Sequence, residues 1–241
     1  PGWIFVDSIE SPTTAMIWSK GIQGFYFVGD ENNIEFNNYI NEFIDTEIKP
    51  RAIEEKLNRF EFSGETEKWD GILEKIFKDR SLNKSKQYIY KFQQDRWNSY
   101  NKRGLENNFI LRQIDMELLN DPSIKNLDFL SLEIKRWWDS YEEYLDKTFG
   151  YCIIYGNLIA NYCITNFVYE NVHTMGIETL EDFRRKGLSK VTTEAFVDNC
   201  INNGLSPYWE CMETNLASRS LAEKLGFHRE HVYTLYSFPF K

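Results

Sequence analysis

The sequence predicts an α/β fold with a mixed sheet, because residues 149–179 read as three consecutive β-like runs, a strongly helical segment follows them directly, and strand and helix then alternate to the end. The order β-β-β-α-β-α-β calls for a twisted mixed sheet flanked by helices. Ahead of it, residues 1–30 suggest short strands with turns: "GWIFVD" is apolar and β-branched, and "GIQGFYFVGD" closes on a Gly-Asp turn. "NIEFNNYINEFIDTEIKP" sets Phe36, Tyr39, Ile40, Phe43 and Ile44 at helical steps, and Pro50 ends or interrupts that run. "AIEEKLNRF" fits a short helix or a helix leading into a strand. "TEKWDGILEKIFKD" repeats the helical period through Trp69, Leu73 and Phe77, whereas "SKQYIYKFQQDRW" fits strand and helix equally.

The polar, glycine-containing stretch at 98–108 is the expected connection between an N-terminal α/β domain, 1–105, and a C-terminal domain, 106–241. "NFILRQIDMELLN" reads as a strand entering a short helix. "SLEIKRWWDSYEEYLDKT" reads as one helix, with an aromatic stripe through Ile134, Trp137, Trp138, Tyr141, Tyr144 and Leu145 that belongs in a core. The strands at about 149–155, 158–168 and 172–179 are separated by turns at Gly156-Asn157 and Glu170-Asn171. In "KGLSKVTTEAFVDNCINNG", Leu188, Val191, Thr192, Ala195, Phe196 and Cys200 share a helical face, and Gly204 stands at the C-cap. "SPYWECM" is the next strand, "LASRSLAEKLG" a short helix, and "FHREHVYTLYSF" one or two closing strands.

Composition narrows the function. With 28 Lys+Arg against 37 Asp+Glu, the net charge of −9 disfavours a nucleic-acid surface, which needs a basic field, and suits a cationic small molecule. No run of about 20 apolar residues offers a membrane span. Cys152, Cys163, Cys200 and Cys211 show no CxxC spacing and read mainly as buried thiols, so the cytoplasm is the expected location. The chain opens "PGWIFVD" without Met, so native residues ahead of Pro1 are expected. His173, His228 and His231 lack HExxH spacing, and no metal site is expected.

One stretch stands out in this acidic chain: "RRKGLSK", between a strand and a helix. A helix that starts directly after a strand presents unpaired N–H groups and the positive end of its dipole, a geometry that holds phosphate. Gly187 lets the backbone approach an oxygen, Arg184, Arg185, Lys186 and Lys190 supply cations, and the Ser189 hydroxyl is small enough to stay near a phosphate. The stretch is neither a dinucleotide GxGxxG nor a Walker A loop. On its own it fits a solvated helix start just as well.

Further sequence resolves the tie. Residues 149–240 resemble the GCN5-related N-acetyltransferase superfamily, whose acetyl-CoA loop reads Arg/Gln-x-x-Gly-x-Gly/Ala; Arg184, Gly187 and Ser189 occupy the marked positions, with serine replacing the last small residue. The second hallmark, an Asn after the next strand and a helix ending in Gly-Phe, is "ECMETNLASRSLAEKLGF", with Asn215 and Gly226-Phe227 in place. The whole chain resembles the subgroup of the zwittermicin A resistance acetyltransferase, which makes antibiotic resistance an expected role.

The resemblance implies acetyl transfer from acetyl-CoA to an amine. It puts the pyrophosphate on the backbone of Arg185, Lys186, Gly187, Leu188, Ser189 and Lys190, with Arg184 and Gly187 shaping the turn. The pantetheine arm would lie where two strands splay, against Ile177, Thr179 and Leu180, with Asn215 and Arg219 also beside the cofactor. Glu178 is the first choice of base and Glu210 the second, with His173 as an alternative. The family's usual acid, a tyrosine, falls on Ala222, which leaves Tyr233, Tyr236 and His228 as substitutes, Tyr233 first. The expected acceptor is a small-molecule amine, with neither nucleic acid nor membrane as partner and with a homodimer left open. A catalytically weak acyl-CoA sensor and a peptide N-acetyltransferase are the competing readings.

Overall fold

The computed structural model describes residues 2–98, 104–106 and 108–240. Most of the connection expected near 98–108 therefore lies outside the described residues. In chain order the elements are β1 (Gly2–Val6), β2 (Thr14–Ser19), β3 (Gly24–Gly29), α1 (Ile34–Phe43), α2 (Lys49–Glu54), β4 (Arg59–Gly64), α3 (Lys68–Ile76) and β5 (Asn83–Phe92). They continue with α4 (Gln94–Asn98), β6 (Phe109–Gln113), α5 (Met116–Leu119), α6 (Asp128–Trp137), α7 (Tyr141–Lys147), β7 (Gly150–Tyr155), β8 (Leu158–Tyr169) and β9 (Val172–Thr179). The last are α8 (Leu188–Asn202), β10 (Ser206–Met212), α9 (Leu216–Lys224) and β11 (Phe227–Pro239).

These elements form two units. The first comprises Pro1–Tyr88, Met212–Thr214 and His231–Lys241; the second comprises Ile89–Cys211 and Asn215–Glu230. The boundary read from sequence, 105/106, thus falls inside the second unit. The strand β11 has no glycine and its only proline is at its last position, so nothing breaks it, and it serves the second unit with residues 227–230 and the first with 231–239.

In the first unit the strands run β1-β2-β3-β4-β11-β5, with β3 and β4 parallel and β1/β2, β2/β3 and β4/β11 antiparallel. Its core is aromatic: Phe62 stacks on Tyr236 at 5.4 Å and meets Phe77 edge-on at 4.9 Å, and Phe60 stacks on Phe238 at 5.2 Å. Pro50 does not end the helical run. A π-helical segment, Ile44–Ile48, joins α1 to α2, and Pro50 occupies the first turn of α2, where its missing N–H costs nothing.

In the second unit the order is β11-β5-β10-β9-β8-β7-β6; β6, β7, β8 and β9 are antiparallel neighbours, and β10 joins β9 in parallel. The segment expected as one helix over 131–148 is two. Trp138 turns extended, Ser140 caps α7 by accepting the Glu143 N–H, and Glu143 accepts the Asp139 N–H in return. The aromatic stripe does build a core, with Ile134, Trp138 and Tyr144 buried and Trp137, Tyr141 and Leu145 packed against them. Helix α8 is buried more broadly than one face, since Thr193, Glu194 and Val197 join Leu188, Val191 and Phe196 inside. All four cysteines are free thiols and buried; burial pushes Cys152 and Cys200 up to about 12.

Candidate active site

Strands β9 and β10 begin as a parallel pair, Ser206 opposite Val172, Pro207 opposite His173 and Tyr208 opposite Thr174. Their registered pairing stops there, although β9 runs on to Thr179 and β10 to Met212. On its other side β9 stays paired to β8 as far as Asn161 opposite Thr179. The backbone of residues 175–179 therefore has one flank in the ladder and one facing away from it. Ile177 and Thr179 lie on this part of β9, and Leu180 follows it, its N–H donated to Ala160 O.

Beyond Leu180 a 3-10 turn over Glu181–Phe183 leads into the basic stretch. Arg185 takes φ 63° and Gly187 φ 81°, both left-handed. Gly187 is the N-cap of α8 and no side chain caps that end; its first turn also holds no acidic residue. The first N–H groups of a helix have no partner within it, so this start leaves donors and dipole available to an anion.

The basic side chains are variously engaged. Arg184 reaches back to β9, its Nε donating to Thr179 O at 3.3 Å and its Nη2 to Glu178 Oε1 at 3.3 Å. Glu178 Oε1 also accepts the Thr179 N–H at 3.2 Å, and the carboxylate is about half exposed. The Lys186 ammonium sits over the Phe183 ring at 4.9 Å, and Lys190 faces Glu194, one turn along, at 3.8 Å. Arg185 is exposed.

Ser189 does not turn its hydroxyl outward. It lies 2.8 Å from Thr179 Oγ1 and accepts from Asn161 Nδ2 at 3.2 Å. Asn161, fully buried on β8, also donates to Glu178 O at 2.7 Å and Thr179 Oγ1 at 2.8 Å, and its Oδ1 accepts from Thr192 Oγ1 at 2.6 Å. Neither Asn161 nor Thr192 figured among the sequence candidates. The available signal was one amide side chain inside the apolar run "LIANYCIT".

Other candidates lie elsewhere. Asn215 caps α9, its Oδ1 accepting the Ser218 N–H at 3.1 Å. Arg219, on the same helix, lies beside Tyr90, whose hydroxyl donates to Glu223 at 3.4 Å. Glu210 is exposed on β10 and accepts the Tyr208 hydroxyl at 2.9 Å. His173 is buried at the paired end of β9, stacked on Phe149 and hydrogen-bonded to Thr148; burial lowers its pKa. Ala222 is fully buried. His228 is half-buried at the start of β11, whereas Tyr233 and Tyr236 belong to the first unit, outside the unit that carries the turn.

The parted strands and the uncapped helix are accompanied by similarity over nearly the whole chain. A family model described as GNAT acetyltransferase matches residues 1–236. The uncharacterized N-acetyltransferase YdfB of Bacillus subtilis (strain 168) is 29% identical over 238 residues, spanning 98% of this chain and 85% of that protein. The fold is similar to a GCN5-related N-acetyltransferase-like protein from Streptococcus suis 89/1591, at 20% identity and TM-score 0.65 over 98% of this chain and 88% of that one. It is also similar to a GCN5-related N-acetyltransferase from Sphaerobacter thermophilus, at 8% identity and TM-score 0.67 over 96% of this chain and 78% of that one. The chain belongs to the GNAT acetyltransferase family and is an acyltransferase enzyme of the N-acetyltransferase type.

Proposed function

We propose that the protein transfers the acetyl group of acetyl-CoA to the amine of a small molecule. The observation that carries this reading is the parting of β9 and β10 beside an uncapped helix start in a basic turn. An amide-bearing ligand arm suits the free flank of residues 175–179, and a pyrophosphate suits the N–H groups at Gly187, Leu188, Ser189 and Lys190 with the exposed charge of Arg185 beside them. Bound there, acetyl-CoA supplies an activated acetyl thioester.

The chain's own contribution is to hold, orient and deprotonate. A backbone N–H on the free flank of β9 polarises a carbonyl oxygen, where developing negative charge benefits most. Glu178 takes the amine proton on its carboxylate, with Glu210 as the second candidate. The acidic chain, at −9, attracts a cationic acceptor. An aminated antibiotic fits that description, in keeping with the resemblance to the zwittermicin A resistance subgroup, and the cytoplasm is where acetyl-CoA would meet it.

Titration with acetyl-CoA tests the reading, and no saturable binding at millimolar ligand overturns it. A thiol-release assay over a panel of amines then tests turnover. Amine-dependent release of CoA is expected; binding without release by any amine would favour a cofactor sensor, the alternative to which the buried Ala222 points.

A further inference from the structure

We infer that Asn161 is a positioning residue that sets the geometry of the proposed CoA site, by tying the parted end of β9 to the first turn of α8. The inference rests on the reading of that turn as the CoA site.

The orientation of the Asn161 amide follows from its partners. Glu178 O can only accept, so the NH2 group must face it, 2.7 Å away. The other side then presents Oδ1 to Thr192, whose hydroxyl donates at 2.6 Å. The NH2 group also meets Thr179 Oγ1 and Ser189 Oγ, and these two hydroxyls meet each other at 2.8 Å. One side chain on β8 thereby holds a carbonyl and a hydroxyl of β9 together with two hydroxyls of α8. The same stretch of β9 has its free flank toward the opening, and the same turn of α8 carries the uncapped N–H groups.

Two surfaces that would grip one ligand are thus fixed to each other through one amide and the Thr179–Ser189 hydroxyl contact beside it. Asn161 and Thr192 are both 0% exposed. In such surroundings a network is strong when complete, and removing one member strands the others unsatisfied. The serine at the last motif position acquires a reason: its hydroxyl faces the sheet and joins the network. Because Thr192 is fully buried it touches no ligand; its hydroxyl lies 2.6 Å from Asn161 Oδ1 and 3.2 and 3.4 Å from the Ser189 and Leu188 carbonyls, so an effect of Thr192 on CoA binding travels through these groups.

The test is calorimetric titration with CoA of the unaltered chain and of Thr192→Val, Thr192→Ser, Ser189→Ala and the double variant Thr192→Val/Ser189→Ala, at a temperature where circular dichroism shows each folded. Thr192→Val and Ser189→Ala should each raise Kd by roughly fivefold or more, and Thr192→Ser, which keeps the hydroxyl, by about twofold at most. The double variant should fall short of the product of the two, as members of one network do. Variants that melt lower yet bind CoA like the unaltered chain overturn the inference and leave the CoA reading standing. No binding by the unaltered chain overturns both. Hydrogen exchange on the unaltered chain supplies a measurement free of variant folding. Added CoA should raise protection at Thr179 and at residues 188–192 together, and protection confined to the helix start overturns the linkage.

Discussion

A carboxylate can accept a proton only through lone pairs that are not already committed. Glu178 Oε1 takes both the Arg184 guanidinium and the Thr179 N–H, which aims the carboxylate and leaves Oε2 as the oxygen that the proposed base role would use. Glu178→Gln keeps the shape and removes the basicity. Steady-state kinetics should show kcat reduced roughly 10²-fold or more with CoA affinity nearly unchanged; equal turnover would remove Glu178 as base. Ala222 sets a second residue-scale expectation. It is fully buried, so Ala222→Tyr, which restores the family's phenol, overfills a packed core and should cost about 1–3 kcal/mol, read from the urea midpoint. At this scale the sequence was legible where a residue type implies a turn, as for Gly187 with its left-handed backbone. It was silent where the role depends on neighbours far along the chain. The motif alone sets the Ser189 hydroxyl near a phosphate; the proximity of Asn161 and Thr179 turns it toward the sheet.

At the scale of elements, the start of α8 depends on a left-handed residue. Gly187 at φ 81° has no side chain to strain, whereas an alanine there costs about 1–2 kcal/mol and adds a Cβ at the uncapped end of the helix. Gly187→Ala should therefore lower the melting temperature and weaken acetyl-CoA binding together, measured by thermal denaturation and titration. Unchanged affinity in the folded variant would separate the turn from the ligand. The strands and helices of the second unit were legible because their periods and turn residues agree. The π-helical link and the α6–α7 break were not, because apolar spacing continues across both. In the second case the clue lay in Ser140 and Glu143, a capping pair inside what the stripe presented as one helix. Of the two outcomes that Pro50 allowed, an end and an interruption, the chain takes the second: a π-helical segment breaks the α-helical run just ahead of it, and Pro50 sits in the first turn of the helix that follows.

At the scale of the whole molecule, β5 and β11 each contribute residues to both units, and neither carries a glycine or an internal proline where the units divide. Stability, too, is a property of the whole. Burial lowers the pKa of His173, so the folded chain binds fewer protons than the unfolded one once the pH falls below the ordinary histidine value of about 6.5. Stability is then complete above that value and declines as the pH falls toward the folded pKa. Melting at about pH 5.5 should occur a few degrees below melting at about pH 7.5, with the gap reduced in His173→Gln; an equal gap in the variant would assign the effect to other groups.

Strands that separate within a sheet leave interior edges, with peptide groups on β9 that no neighbouring strand satisfies. Such edges ordinarily invite another chain. A pantetheine arm, extended and carrying two amides, can serve as the missing strand and close the sheet for as long as it stays. The ligand then acts as a removable structural element, and ligand at 100 times Kd should add about 2.7 kcal/mol to the free energy of unfolding. The protein depleted of acyl-CoA should accordingly be the form that self-associates on warming, which light scattering with and without CoA would reveal.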